Sequence, residues 1–206
     1  MAISYPINLP ATPGPQHVDW APMSAVGAVT SPFTFQSQVQ AHQGQIWAVR
    51  ITVPPMIADD AEPWVAALLS LNGRQGTFFW GDRVRKMPRG SAGGTPLVDG
   101  AGQTGQELIT DGWPNSVNGV LKMGDFFQLG SGATTRMYRI LKDVNSNGSG
   151  QATLDFWPRL REIPADNAAI VTSEPKCVWR LKDNLMDWSV DTAKLYGLEI
   201  DAVEAI

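Results

Sequence analysis

The stretch QIWAVRITVPPMIADDAEPWVAALLSLNGRQGTFFWGD, from Gln45 to Asp82, carries two hydrophobic periods in succession. In its first part Trp47, Val49, Ile51 and Val53 recur every second residue, the period that sets one side of a strand on a core. In its second part Trp64, Val65, Leu68, Leu69 and Leu71 recur at helical spacing. Asp59 and Asp60 are expected to cap this helix, Asn72-Gly73 to end it, and Pro54-Pro55 to stop the strand before it. Thr77, Phe78, Phe79 and Trp80 then return to strand-type residues, and Gly81-Asp82 break the run.

Upstream, Phe33, Phe35, Ser37 and Val39 alternate with Thr34, Gln36 and Gln38, and the polar, Gly-ended run Gln40 to Gly44 follows. This pattern predicts a hairpin with the Gln45–Val53 strand. Downstream, from Arg83 to about Gly105, the composition shifts to charge and then to Gly, Ser and Pro, which marks a domain crossing at its beginning. Strands are predicted over Asp125–Leu129, Arg136–Leu141 and Ala152–Trp157, the last two joined by the turn-rich Asn145 to Gly150. Beyond Pro164, strands are predicted over Ala169–Thr172, Val178–Leu181, Trp188–Asp191 and Leu195–Glu204. In the last, Tyr196, Leu198 and Ile200 face one way and Glu199 and Asp201 the other. The fold class is all-β with one short helix, and the short strands of the second unit suit a small barrel.

A hydrophobic share of 43% against 17% charged residues separates the chain from sequences kept disordered by their charge. The net charge of -4 argues against a protein that grips nucleic-acid phosphates. The lone Cys177 forms no internal disulfide and reads as a small buried hydrophobe, compatible with assembly in a reducing cytoplasm. Met1 to Trp20 carries prolines and no apolar run of the signal-peptide kind, and no apolar run is long enough to span a bilayer.

Gly100, Gly102 and Gly105 match the dinucleotide-binding spacing, but Glu107 to Pro114 offers no helix to follow them, so a surface loop is expected. His17 and His42 sit in what read as separate polar loops and complete no metal set. No nucleophile elbow or paired carboxylates mark an enzyme, and no cofactor or metal is expected. Arg83, Arg85, Lys86 and Arg89 read as a solvated crossover segment. Among the tryptophans, Trp47, Trp64 and Trp80 read as core, and Trp113, Trp157, Trp179 and Trp188 as interface residues. Arg83 and Arg85 join Trp179 and Trp188 as interface candidates. The alternative use of Trp113, Tyr138 and Trp157 is an aromatic platform for carbohydrate.

The run Trp64 to Asp82 resembles tail proteins of long-tailed bacteriophages and prophages. So do Gly94 to Val98 with Gly100 to Gly105, Asp111-Gly112-Trp113-Pro114, Leu121 to Asp125, Phe156 to Arg161 and Ala202 to Ala205. The resemblance is to the distal tail proteins and covers most of the chain from Val49 onward. It implies a discontinuous ring-forming domain, residues 1–82 plus 165–206, interrupted by an OB-like barrel over 83–164, with the second crossing as late as Pro175. It further implies a homohexameric ring at the tail tip of the virion, made in the host cytoplasm, that joins the tail tube protein to the tip or baseplate hub protein. The rival implication is a peripheral tail module whose barrel binds host surface glycan. Neither reading involves a membrane or a specific nucleic acid.

Overall fold

The computed structural model describes residues 3–206. In chain order the elements are β1 (Ile7–Asn8), β2 (His17–Trp20), β3 (Met23–Thr30), β4 (Ser37–Ile46), β5 (Ala48–Met56), α1 (Ala58–Ser70) and β6 (Phe78–Trp80). There follow β7 (Leu97–Val98), β8 (Glu107–Asp111), β9 (Phe126–Leu129), β10 (Arg136–Ile140), β11 (Ala152–Trp157), β12 (Cys177–Leu181), β13 (Trp188–Val190) and β14 (Tyr196–Glu204). The described residues are all-β with one α-helix, as the sequence patterning predicts.

The first sheet has the order β1-β6-β12-β14-β5-β2, with β13 added to β14. Its centre is the pair β5 and β14, whose alternation decides the layering. Val49, Ile51 and Val53 pair with Ala202, Ile200 and Leu198, and all six are buried. Between them Arg50 faces out and meets Glu199 and Asp201, each at 2.8 Å. Helix α1 closes the inner side with Ala61, Trp64, Val65 and Leu68, spaced at i, i+3, i+4 and i+7.

Pro54 and Pro55 do not stop the strand as expected; β5 runs through them to Met56. Val53 pairs with Leu198 and Met56 with Tyr196, so the two prolines stand opposite the single Gly197 in a bulge. A bulge leaves strand positions outside the ladder, which suits residues without an N–H. Asp59 and Asp60 lie in the first turn of α1 rather than capping it, because the N-cap is Ile57, which makes no side-chain bond. Their charge there still favours the helix dipole. The helix ends as expected, with Asn72 and Gly73 in the left-handed region.

The second sheet is antiparallel with the order β7-β8-β11-β10-β9. Its core is built on Phe127, Tyr138 and Phe156, whose ring centroids lie 5.2 to 5.3 Å apart. Gly100, Gly102 and Gly105 all have positive φ in the β7–β8 loop, and the chain then enters strand β8, not a helix. The stretch Ala169–Thr172 forms isolated bridges rather than a strand, Ala169 with Leu97 and Val171 with Gln128. These tie it to the second sheet, and Ile170 is part of the second core.

The two units share a packed joint. Trp47 Nε1 donates to the Met137 carbonyl at 3.0 Å, and Trp47 meets Trp157 edge-on at 4.4 Å. Arg161 donates to both carboxylate oxygens of Glu204, at 3.1 and 2.5 Å, with both side chains almost wholly out of solvent. Where the chain crosses between units its two passes touch. Glu174 N–H donates to the Lys86 carbonyl at 2.6 Å, and a Cβ on Gly81 would lie 2.2 Å from the Pro175 carbonyl oxygen, a gap only glycine fits.

Candidate functional site

The most exposed element is the hairpin β3–β4, a two-stranded sheet of its own. It differs from the expected hairpin, because Phe33 and Phe35 form its tip rather than a strand. The Ser31 N–H donates to Gln36 O and the Phe35 N–H to Ser31 O, with Phe35 at φ 55, and together they close a turn. The run Gln40 to Gly44, expected as the connection, lies within β4. Val26 pairs with Ala41 and Ala28 with Val39, so these four residues share one apolar face. Val29, Phe33, Phe35 and Val39 are 73%, 91%, 81% and 66% exposed.

The hairpin has a sequence signal that the alternation hides. From Ala21 to Val49 there is no Asp, Glu, Lys or Arg. Exposed strand edges in soluble proteins are normally guarded by charge or proline, since their free N–H and C=O groups accept a further strand. A lone two-stranded hairpin is also marginal in water by itself. The strands of the arm carry neither of these guards.

A second surface is a groove of about 570 Å³ between the two units. Its walls include Trp20, Trp80 and Phe126, and its charge comes from Arg83, Arg85 and Arg139. The Arg83 guanidinium lies 4.8 Å from the Trp80 ring centre and that of Arg139 lies 5.0 Å from Phe126. Arg83 is tethered to the Ala11 carbonyl at 3.0 Å, and partial burial lowers its pKa. Lys86 and Arg89 are otherwise engaged, with Glu174 at 3.3 Å and Asp125 at 3.3 Å.

Of the residues singled out from sequence, Arg83 and Arg85 line this groove and Trp188 is 42% exposed on β13. Trp179 is not at a surface: it is fully buried in the first core and its Nε1 donates to the Trp80 carbonyl at 3.0 Å. The three platform residues do not form one. Trp113 is 3% exposed, its Nε1 donating to Thr110 Oγ1, and Tyr138 is 2% exposed within the second core. Trp157 is half-buried in the joint against Trp47. Burial raises the Tyr138 hydroxyl to about 12. Cys177 is fully buried, and that burial pushes its thiol up to about 12. His17 and His42 lie on strands β2 and β4, not in loops. Among the described residues no three His, Cys, Asp or Glu side chains gather as a metal site.

The described residues form a β-sheet backed by one helix and a second, antiparallel sheet inserted between β6 and β12. Residues 85–174 match the family model described as Distal tail protein pb9, B domain. The matched segment contains the whole second sheet and the bridged stretch Ala169–Val171. The match covers a little under half of the chain and supports a bacteriophage distal tail protein, a structural component of the virion tail. No curated protein matches the chain.

Proposed function

We propose that the chain is a ring-forming adaptor at the tail tip, with copies of itself as its first partner and the tail tube protein and the tip or baseplate hub protein above and below. The observation that carries this reading is the uncharged hairpin β3–β4, whose apolar face and open edges have no partner in one copy among the described residues. In a closed ring each arm lies against the next copy, so that a contact repeated by rotation covers every edge. Six copies follow from the resemblance to distal tail proteins. In this reading residues 1–82 with about 175–206 form the ring, and the B domain lies on its outside as an OB-like barrel. The reading requires no cofactor and no catalysis.

The test is negative-stain microscopy with native mass measured over a concentration series, for the protein and for the variant Val26→Lys/Val39→Lys. Both positions are exposed in one copy, so the variant keeps the thermal stability of a single chain. The expected result is a six-fold ring with a central hole for the protein and single chains for the variant. Single chains at every concentration for the unaltered protein, or rings that form as well in the variant, overturn the proposal.

A further inference from the structure

The groove between the units has a complement elsewhere on the same chain. Between β12 and β14 runs the segment Asp183 to Asp191, which carries Asp183, Asp187 and Asp191 and no basic residue. Leu185 within it is 81% exposed and Trp188 is 42% exposed. It is thus acidic and apolar, whereas the groove is basic and aromatic. Among the described residues, neither Arg83, Arg85 and Arg139 on one side nor Asp183 and Asp187 on the other has an ion-pair partner. The carboxylate of Asp82, which adjoins Arg83 in sequence, is occupied by the N–H groups of Val84 and Arg85 at 2.8 and 3.2 Å.

The register of the first sheet sets the two surfaces apart. Trp80, a wall of the groove, pairs with Cys177 at the start of β12, and the acidic segment leaves from Leu181 at its other end. Four residues of strand separate these ends, about 13 Å at a strand's rise. Two unlike surfaces on one chain are what a contact repeated by rotation needs, since each copy offers one and receives the other.

We propose that the groove receives the Asp183–Asp191 segment of a second copy, Leu185 and Trp188 packing on Trp20 and the aliphatic stems of Arg83 and Arg139 while the aspartates meet the guanidiniums. This rests on the ring reading and names the contact that gives it direction. Charge complementarity of this kind fixes register and speeds encounter, and reversing one side sets like charges together.

The test has two parts. Arg83→Glu/Arg139→Glu and Asp183→Arg/Asp187→Arg each lower the apparent association constant by at least about tenfold, and the four substitutions in one chain restore it. Separately, Arg85→Cys/Leu185→Cys, whose thiols are the only exposed ones because Cys177 is buried, gives a ladder of disulfide-linked copies under mild oxidation. Folding of each variant is checked by its melting temperature, which these surface changes leave near that of the parent. If the unaltered protein assembles while both reversals assemble equally well and no ladder forms, this contact is wrong and the ring stands. If the unaltered protein never assembles, both readings fall.

Discussion

The Arg161–Glu204 pair at the joint offers the sharpest test of how the two units are held together. The guanidinium gives two hydrogen bonds to the carboxylate, and the side chains are 7% and 0% exposed. Glu204 also accepts the Trp47 backbone N–H at 3.3 Å. Changing Glu204→Ala leaves a buried guanidinium without its counter-charge and a buried N–H without its acceptor. Breaking one side of a buried pair costs about 3–5 kcal/mol. For a chain of this size that lowers the melting temperature by roughly 6–20 °C. The paired change Arg161→Met/Glu204→Leu removes both charges and keeps the volume apolar, so it recovers most of the loss and stays about 1–3 kcal/mol below the parent, the cost of the Trp47 N–H left without its acceptor. Urea unfolding at a concentration where the protein is a single chain measures both. A loss below about 1 kcal/mol for Glu204→Ala refutes the argument, because it would mean that water reaches the pair. A double variant as unstable as the single one refutes it equally.

Three further outcomes follow from the geometry. Ultraviolet difference absorbance will show one tyrosine ionising near pH 12, absent in Tyr138→Phe. Because its folded pKa is raised above 10.0, Tyr138 contributes stability that is whole below about pH 10 and lost as pH rises through about 12. Cys177 will resist thiol reagents in the native protein and react fully in denaturant, since it is completely buried and its thiol is held protonated. Gly94→Ala will destabilise the second unit by about 1–3 kcal/mol or more in thermal melts, because Gly94 has φ +77 and a Cβ there would lie 2.1 Å from the Gly112 carbonyl oxygen.

The parts of the fold legible in sequence are those with one buried side. Strands β5, β11 and β14 alternate between core and solvent and helix α1 buries one stripe, and that periodicity is what the sequence records. The β3–β4 arm escapes the same reading because both of its sides are exposed in a single chain, so Gln40 and Gln43 belong to a strand while looking like a loop. The tryptophans mislead for another reason. An indole reads alike in a core and at an interface, and only the fold supplies the acceptors, Thr110 Oγ1 for Trp113 and the Trp80 carbonyl for Trp179, that let these two be buried. The Arg161–Glu204 pair and the groove assemble residues far apart in the chain, so their spacing carries no signal. The charge-free run from Ala21 to Val49 was readable throughout, but as an absence of residue types rather than as a motif.

The touching passes at Gly81 and Pro175 make the B domain, in topological terms, an enlarged turn. Trp80 ends β6 opposite Cys177 at the start of β12, so residues 81 to 176 occupy a place that a tight antiparallel turn would fill. The entropy of closing such a connection grows only with the logarithm of its length, so the first sheet is nearly indifferent to how much chain is inserted there. It is not indifferent to the insert's inner surface. Trp20 and Trp47 lie against Phe126, Trp47 also donates to Met137, and Glu204 takes its counter-charge from Arg161. Any domain exchanged at this position keeps the first sheet intact only if it brings an apolar lid and one buried cation to the same spots, whatever it displays on its far side.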